Sequence, residues 1–414
     1  SLHRYDEAMA CYHEALRLNP GYALALNNLG TALQELNRFD EALAHHQEAL
    51  RLDPSHWPAH QGLALLYVQR GRTDLAKKHG QIGFRQRIDG YPYRGTRRAV
   101  RALLLQSALG GNVITDDWLD DRVFQKTKIT VDFCEPDFEL PPHDLVINGI
   151  GEADRCEQAL RDAAAVVARI TAPVINPPSR VLESGRIANA LRLGQLPGVV
   201  TPRIVLRSRE WLARPGTAEA LREGGFSWPL LLRSPGFHTG EHFAKVDRPD
   251  ELEACVAALP GDALFAIEYR DTCAPDGMFR KYRVMTIGGQ LYPLHVAVSA
   301  HWKVHYFSAD MADSAAHRTE DAAFLEGMAD VLGKQVMSSL AAIRDVLGLD
   351  YGGIDFGIDH RGRVVVFEAN ATMIVPPPAA DERWAYRRAA VERINAAVRR
   401  MLLSHAGVAD WQAA

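Results

Sequence analysis

A repeat of 34 residues runs through the first ninety residues and limits what this part of the chain can fold into. Shifting the sequence by 34 places like residues on one another: Asp6, Asp40 and Asp74; Ala8, Ala42 and Ala76; Ala15 and Ala49; Pro20 and Pro54. Small residues at fixed positions and a proline at the end of each unit are typical of closely crossing helical pairs. Each pair buries its apolar stripe only against its neighbours, so we predict a short stack of helices.

The repeat resembles the tetratricopeptide repeat, and its middle unit, Ala23 to Asp53 with Pro54, matches best. The resemblance implies a concave polar surface on residues 1–90 that binds a peptide or protein partner. The alternative is that so short a stack only supports the next domain or forms a homodimer. The first unit is cut in half and the sequence begins with a serine, so we expect further repeats upstream in a longer chain. The turn-rich stretch Gly90 to Gly95 is the predicted end of the repeats.

The composition excludes several classes of function. A length of 414 residues allows two or three domains, and 47% hydrophobic with 24% charged residues is typical of a globular protein in water. The net charge of −4 gives no indication of a nucleic-acid partner, and no apolar run is long enough for a membrane span. The 5 cysteines lie far apart without metal-ligand spacing, which indicates a reducing compartment, and we expect a bacterial cytoplasm.

Apolar runs and a helical segment alternate after the repeats. The predicted strands are Ala102–Leu105, His143–Asn148 and Ala172–Asn176, and an amphipathic helix, Glu152–Ile170, lies between the last two. This order predicts a βαβ unit with a small parallel sheet, and we assign residues 91–178 to an α/β domain. The segment lacks the GxGxxG pattern, so the sequence does not indicate a dinucleotide site here.

The stretch Gly352–Asn370 consists of two strands of alternating character with a turn signal between them. The length of the loop decides which side chains share a face. A loop of two or four residues pairs Ile358 with Arg363. In that register Asp355 lies on the same face as Glu368, whereas a loop of three or five residues separates them.

Two carboxylates and an amide oxygen on one sheet face, from Asp355, Glu368 and Asn370, are costly without a cation. Oxygen ligands favour a hard ion that also binds phosphate, so we predict Mg²⁺, with Mn²⁺ as the alternative ion. The other interpretation is a hairpin whose polar face simply meets water.

A glycine-containing loop follows an apolar strand between Phe226 and Val246 and carries Ser234 and Gly240. Free backbone N–H groups in such a loop can close over phosphates, and Arg233 at the end of the strand would add positive charge. The P-loop pattern is absent, and a plain hairpin turn is the alternative.

Further elements carry charged side chains towards the hairpin. A strand at Ala263–Tyr269 contains Glu268, and a strand at Tyr282–Ile287 contains Arg283 and ends at a glycine pair. A helix is predicted at Leu325–Leu347.

In this order the segments resemble the ATP-grasp superfamily, in particular the glutathione-synthetase-like and ribosomal-protein glutamate ligases. The resemblance covers Pro173 to Pro378 and rests on four motifs: Pro229–Gly240, Phe265–Tyr269, Lys281–Val284 and Gly353–Asn370. It implies that the repeats and the small α/β domain precede an α+β ATP-grasp fold over residues 179–414. A lid at about 200–262 and a C-terminal lobe at about 263–405 complete the implied architecture.

The resemblance implies ATP and Mg²⁺ as cofactors. The implied ligands are Arg186, Arg233, Ser234, Gly240, Glu268 and Tyr269 for ATP, and Asp355, Glu368 and Asn370 for two Mg²⁺ ions. The backbone at Glu268 and Tyr269 would contact adenine. Arg186 and Arg233 stand where the family usually has two lysines, and arginine keeps the charge but is bulkier and planar. The replacement either preserves the nucleotide site or weakens it.

The resemblance also implies a ligase that joins a carboxylate substrate to an amine, either free or on a peptide. Attack of the carboxylate on the γ-phosphate gives an acyl phosphate, and Arg283 is the predicted catalytic residue that stabilises the developing negative charge. A cross-strand ion pair is the alternative role of Arg283. Two other classes stay open: a repeat scaffold with a nucleotide-sensing or inactive domain, and a kinase-like phosphotransferase.

Histidines and a lysine are dense between Leu291 and Met311. Alternation predicts a strand with His301, Lys303 and His305 on one face. We predict His295 and Lys303 as contacts to the substrate, and the alternative is an ordinary exposed strand without a zinc site.

Overall fold

The computed structural model describes residues 2–70, 72–84, 89–115, 117–135, 138–235, 241–306 and 309–408. The chain divides into two compact units. The first comprises Ser1–Tyr91, Leu105–Leu109 and Thr127–Pro142, and the second comprises Pro92–Leu104, Gly110–Lys126 and His143–Ala414. The division into three domains, with boundaries after residues 90 and 178, stays a prediction.

The repeats of the first unit fold as α1 (Leu2–Leu18), α2 (Ala23–Glu35), α3 (Phe39–Leu52), α4 (Trp57–Gln69) and α5 (Thr73–Gly83). The repeated alanines Ala42 and Ala49 are fully buried, because small side chains let neighbouring helices approach. His46 is fully buried as well. A Cβ atom at Gly62 would lie 2.4 Å from the His46 Nε2 atom, so this crossing requires glycine. The predicted helical stack is confirmed.

The strands of the described chain form three sheets. They are β1 (Asp89–Gly90), β2 (Val100–Gln106), β3 (Phe124–Thr130), β4 (Leu145–Asn148), β5 (Val174–Ile175), β6 (Val199–Val200), β7 (Ile204–Ser208), β8 (Leu230–Arg233), β9 (Phe243–Val246), β10 (Ala263–Glu268), β11 (Phe279–Ile287), β12 (Gln290–Ser299), β13 (Tyr351–Ile358) and β14 (Val364–Asn370).

The helices that follow the repeats are α6 (Glu157–Val167), α7 (Pro178–Leu182), α8 (Arg186–Leu193), α9 (Arg209–Leu212), α10 (Thr217–Glu223), α11 (Leu252–Ala258), α12 (Ala315–Leu347) and α13 (Arg388–His405). Short 3-10 helices lie at Val131–Phe133, Pro249–Glu251 and Glu382–Arg387. Helix α12 begins ten residues before the predicted Leu325, and its backbone is non-helical at Gly327 and Gly333. Within the described ranges no helix combines the length and apolar character that a membrane span requires.

The small sheet has the strand order β1-β3-β2-β4-β5. Strands β4 and β5 are parallel and α6 lies between them in sequence, so the predicted βαβ unit is confirmed. The prediction of a purely parallel sheet is wrong, because β1 pairs with β3 in antiparallel fashion. The sequence of β3, FQKTKIT, alternates with polar residues and gives no apolar run that would reveal a strand.

Two sheets in the second unit position the site: an antiparallel four-stranded sheet and a mixed five-stranded sheet. The four-stranded sheet, β7-β10-β8-β9, packs its apolar face on α9, α10 and α11 through Leu212, Leu221 and Val256. The central sheet, β12-β11-β13-β14-β6, packs on α13, where Met285 and Tyr351 share one core cluster with Ile394. The fold class is therefore a helical repeat region followed by an α+β region with mixed sheets, as predicted.

The β13–β14 hairpin has a loop of odd length, for which Asp355 and Glu368 were expected on opposite faces, yet the two lie on one face. Ile358 pairs with Val364, which leaves a loop of five residues. That loop alone would separate the two carboxylates, but the register shifts by one residue between Asp355 and Phe356. Asp355 consequently pairs directly with Glu368, and directly paired residues point to the same face.

The segment after β12 also differs from its prediction. Strand β12 ends at Ser299, so His301, Lys303 and His305 follow the strand and do not alternate on its face. The sequence alternation arose in an irregular segment, where the period of two has no structural meaning.

Candidate functional site

A cleft in the second unit lies between the four-stranded sheet and the central sheet. Strands β8 and β10 contribute one wall, and β11, β13 and β14 contribute the other. The cleft brings together most of the predicted site residues: Arg186, Arg233, Glu268, Tyr269, Lys303, Asp355 and Glu368. These residues come from segments up to 182 positions apart, so the fold and not the local sequence assembles them.

Asp355 on β13 is fully buried and is surrounded by cations. Both of its carboxylate oxygens accept hydrogen bonds from Arg283 on β11, at 2.5 Å from Nε and 2.7 Å from Nη2. Lys281 Nζ lies 2.7 Å from Asp355 Oδ2. Burial opposes ionisation of Asp355, but Arg283 and Lys281 hold its pKa well below the usual range. Asp355 is therefore an anion at any ordinary pH.

Lys281 is a site residue that the sequence analysis missed. It lies two positions before Arg283 on β11, so both side chains point to the same face. That spacing was available from the sequence, but it has meaning only once β11 is known to pair with β13. Lys281 and Asp355 line the cleft, whereas Arg283, the direct cross-strand neighbour of Asp355, does not.

Glu368 on β14 is the second carboxylate of the cleft. Its Oε1 atom accepts hydrogen bonds from Arg186 Nη2 at 3.1 Å and from Asn370 Nδ2 at 3.0 Å. Burial raises its pKa, but Arg186 and Arg233 outweigh this effect and lower the pKa below the ordinary value for glutamate. Asn370 turns its amide oxygen towards Thr372, whose backbone N–H and hydroxyl donate to it at 3.0 and 2.8 Å.

The donors of Asp355, Glu368 and Asn370 fit a hard divalent cation in chemical type and in proximity. Two carboxylates are direct cross-strand neighbours, and the amide is in contact with one of them. A bound ion would compete with Lys281 and Arg283 for the Asp355 oxygens. In the part of the chain that the structure describes, no cluster of three or more His, Cys, Asp or Glu side chains is arranged to hold a metal.

Arg186 and Arg233 stand beside these carboxylates. Arg186 is the first residue of α8, and its backbone N–H donates to both Asp154 oxygens, at 3.1 and 3.0 Å. The Arg233 guanidinium lies 5.7 Å from the centroid of the Phe243 ring. Burial, followed by the nearby Arg186, lowers the pKa of Arg233 below its usual value. Arg186 and Arg233 both act on Glu368, and Glu152 and Asp154 add further negative charge beside Arg233.

The strand β10 ends at the predicted adenine contacts, and the structure restricts what they can offer. The Glu268 backbone N–H already donates to the Arg203 carbonyl at 2.8 Å. Its carboxylate accepts from the Arg203 N–H at 3.1 Å and pairs with Arg270 at 2.9 Å. Adenine contacts through the Glu268 N–H are therefore excluded in this arrangement, and the backbone of Tyr269 is the remaining predicted contact.

An aromatic wall lies beside this strand end. The Trp302 ring meets Phe243 edge-on at 5.5 Å and Tyr269 at 6.3 Å between centroids. All three side chains line the cleft. Trp302 and Phe243 were not predicted as site residues, because isolated aromatic residues form no sequence motif and only the fold brings them together.

Three further predicted residues, like Arg283, lie outside the lining of the cleft. Ser234 is fully buried and its hydroxyl donates to the Pro260 carbonyl at 2.7 Å. Asn370 lines an adjoining cavity together with Glu368. His295 is buried beneath the central sheet face, with its ring 4.4 Å from that of Tyr306. Gly240 falls outside the described residues, so the phosphate loop stays a prediction.

Comparisons with known proteins agree with the helical repeats. Models of the tetratricopeptide repeat and of the TPR repeat match residues 23–56 and 1–37. The prediction of tetratricopeptide repeats is confirmed for this part of the chain. A comparison with curated proteins finds no match.

Solved structures with similarity to the chain include two ligases and an ATP-grasp domain protein. VanG D-Ala:D-Ser ligase from Enterococcus faecalis is 14% identical, with a TM-score of 0.44 over 75% of this chain and 99% of that one. A RimK domain ATP-grasp protein from Sphaerobacter thermophilus is 14% identical, with a TM-score of 0.42 over 73% and 99%. The ATP-grasp ligase PsnB, complexed with a phosphomimetic variant of its minimal precursor, Mg and ADP, is 12% identical, with a TM-score of 0.41 over 73% and 98%.

Proposed function

We propose that this chain is an ATP-dependent ligase that joins a carboxylate to an amine through an acyl phosphate. The observation that carries the proposal is the pair Asp355 and Glu368, set side by side in a cleft that is otherwise cationic. The lining carries six Arg and Lys side chains and three Asp and Glu side chains, a difference of 6 − 3 = +3. Such a surplus suits a polyanion such as a nucleotide triphosphate together with a carboxylate substrate.

The residues of the cleft divide the proposed ligands between them. The aromatic wall of Phe243, Tyr269 and Trp302 would hold the base by stacking, because its faces are apolar. Arg186 and Arg233 would bind the phosphates, and arginine suits this role because its donors match phosphate oxygens in pairs. Asp355, Glu368 and Asn370 would hold Mg²⁺, which neutralises charge on the phosphates when bound.

The proposed reaction needs fixed cations and no covalent nucleophile. A carboxylate oxygen of the substrate attacks the γ-phosphorus, ADP leaves, and an acyl phosphate forms. The amine then attacks the acyl carbon, phosphate leaves, and the amine proton passes to a base or water. Negative charge develops in both steps. Lys281 and Arg283, both paired with Asp355, would stabilise both transition states electrostatically.

We further propose that the repeats recruit a peptide or protein that carries or accompanies the substrate. The match of the repeat models and the helical pairs α1 to α5 support this role. A second function is favoured by one observation: the Asp355 carboxylate is paired with two cations, Arg283 and Lys281. A scaffold that binds nucleotide without turnover would have the same arrangement.

The test is ADP release by the full chain with Mg-ATP, a mixture of amino acids and short peptides, and hydroxylamine as a trap. Hydroxylamine converts an acyl phosphate into a stable hydroxamate, which mass spectrometry detects. The variant Glu368→Gln removes the charge and keeps the shape, so ADP release should fall by about a hundredfold or more. The matched control is Glu219→Gln, an exposed residue paired with Arg222 on α10.

Each outcome decides between the proposals. Hydroxamate that depends on Glu368 supports the ligase. ATP binding without turnover in any mixture supports the scaffold. A stable phosphorylated product that resists hydroxylamine supports the phosphotransferase.

A further inference from the structure

A buried carboxylate outside the cleft joins three elements of the second unit. Asp321 on α12 is fully buried, and its Oδ1 atom accepts a hydrogen bond from the Val296 N–H of β12 at 2.7 Å. Its Oδ2 atom accepts from the Tyr386 hydroxyl at 2.7 Å and from the Tyr306 hydroxyl at 3.4 Å. A charged group without solvent is costly, so a network of three donors from three segments requires an explanation.

Satisfying the outer edge of β12 explains only one of the three hydrogen bonds to Asp321, the one from the Val296 N–H. Strand β12 is an outer strand of the central sheet, and the Val296 N–H points away from its partner strand. The next outward N–H, that of Val298, donates to the Met311 sulfur at 3.4 Å. A thioether is sufficient for that position, so capping the edge does not by itself require a carboxylate. The two tyrosine hydroxyls have no part in the edge.

Tyr306 ends a segment that forms one wall of the cleft. The four residues before it, 302–305, all line the cleft, and the Trp302 ring contacts the rings of Phe243 and Tyr269 there. We call residues 302–306 the cleft segment. It has no regular secondary structure, so its position depends on how its ends are held. At the start, the His301 N–H donates to the Ser299 hydroxyl at 3.1 Å.

The other end is held by the surroundings of the Tyr306 ring. The Arg387 guanidinium lies 4.4 Å from the ring centroid, and the His295 ring packs against it at 4.4 Å. Asp321 holds the hydroxyl end of the same ring. Tyr386, from the 3-10 helix Glu382–Arg387, completes the network through its short bond to Asp321.

We infer that Asp321 is a positioning residue of the proposed ligase. Together with Tyr386, Asp321 fixes the ring of Tyr306, and Tyr306 fixes the end of the cleft segment. Trp302 and Lys303 are thereby held where they contact the nucleotide. The inference rests on the proposed function, and it assigns a role to a side chain that touches neither nucleotide nor metal. Loss of these hydrogen bonds lets the cleft segment, with Trp302, move away from Phe243 and Tyr269. Nucleotide affinity then falls while the phosphate chemistry, carried by other strands, is unchanged.

The variants Tyr386→Phe and Asp321→Asn separate positioning from edge protection. Tyr386→Phe removes one hydroxyl and leaves the bond from Val296 to Asp321 intact. Asp321→Asn keeps an oxygen for the Val296 N–H and removes the charge. The matched control is Tyr93→Phe, which also removes a hydroxyl that donates at 2.6 Å, to the Arg97 carbonyl, away from the cleft.

The experiment combines hydrogen exchange of the full chain without ligand and calorimetric ATP binding with Mg²⁺. In both variants, amides of the cleft segment should exchange about tenfold faster, and the Kd and KM for ATP should rise about tenfold, with kcat unchanged. Tyr93→Phe should change none of these.

Three results would overturn the inference, and they are distinguishable. Unchanged exchange in the cleft segment shows that the network does not hold it. Faster exchange with an unchanged Kd for ATP shows that the segment does not contact the nucleotide. If the parent chain binds no ATP at all, the proposed function itself fails and this role fails with it, whatever exchange shows.

Discussion

The ion pairs of Asp355 allow one prediction to be developed in detail: Asp355→Asn should destabilise the protein in the absence of metal and nucleotide. The amide has nearly the same shape as the carboxylate, so packing is preserved. It can accept a hydrogen bond from one cation, but it carries no charge for either. Arg283 and Lys281 would then face each other as two cations with side chains only 18% and 17% exposed.

The magnitude follows from the burial of these groups. Removing one partner of a buried ion pair costs about 3–5 kcal/mol, because the remaining charge is left without compensation. Both cations retain some solvent, so we take the lower end, about 3 kcal/mol. For a unit of this size, with an unfolding entropy of about 2.1 cal/mol/K per residue, that corresponds to a melting temperature lower by about 5 °C. The double variant Lys281→Met/Asp355→Asn should recover about 1–2 kcal/mol, since one uncompensated cation is removed with it.

The assay is thermal and urea unfolding in EDTA, repeated with Mg-ATP. The control is Asp345→Asn, whose carboxylate pairs with Arg344 at 2.7 Å and is 67% exposed, and which should change stability little. If Asp355→Asn is as stable as the parent or more stable in EDTA, the reasoning is refuted. The two cations would then not depend on Asp355, and the carboxylate would be a metal ligand whose repulsion of Glu368 costs stability.

Three further predictions concern single positions. Arg233→Lys should weaken calorimetric ATP binding about threefold, because lysine keeps the charge and loses the paired donors, whereas Arg233→Gln should weaken it about tenfold or more. If both variants bind ATP as tightly as the parent, Arg233 is a solvated strand end. Gly62→Ala should destabilise the repeats by about 2 kcal/mol, because its Cβ would lie 2.4 Å from the His46 ring, and urea unfolding followed by circular dichroism measures the change. The control Gly21→Ala places its Cβ no closer than 3.6 Å to any neighbouring atom and should leave the stability unchanged. Burial, with help from His45 and His56, lowers the pKa of His46 from 6.5 to about 4. The unfolded chain therefore binds the proton more tightly, and stability from this group is present above pH 6.5 and lost as the pH falls towards 4; between pH 7.5 and 5 this group should cost the repeats about 2 kcal/mol. His46→Gln should reduce the pH slope by that amount, and the part due to His45 and His79, whose pKa values burial also lowers, should remain.

The elements that could be predicted are those whose pattern is local. The period of 34 fixed the helical pairs, because both helices of a unit lie within one period. Strands such as β10 and β4 were found because their apolar runs are continuous. Strand β3 was missed because its buried and exposed positions mix with lysine and threonine. The helix α12 was predicted too short because its early turns, before Gly327, are rich in polar residues.

The site was predicted in its residue types and not in its pairing. Arg283 and Asp355 are 72 positions apart, and nothing in either strand alone states which residues face one another. Sequence reasoning therefore treated Asp355 as a metal ligand and Arg283 as a separate catalytic residue. Their bidentate contact links the two roles, since any ion that binds Asp355 must change the position of Arg283 or Lys281.

The register of the central sheet shows why this contact is not incidental. Across β12, β11, β13 and β14, the directly paired residues are His295, Arg283, Asp355 and Glu368, so the four form one row on one face. Two ladders in this sheet shift register, and each shift lies next to this row, at Arg283/Val284 and at Asp355/Phe356. A bulge disrupts a ladder locally and re-aims the neighbouring side chains. Without the second shift, the five-residue loop would point Asp355 and Glu368 to opposite faces. The second shift thus sets a cation and two carboxylates in line, and the first brings His295 beside Arg283 in the same row.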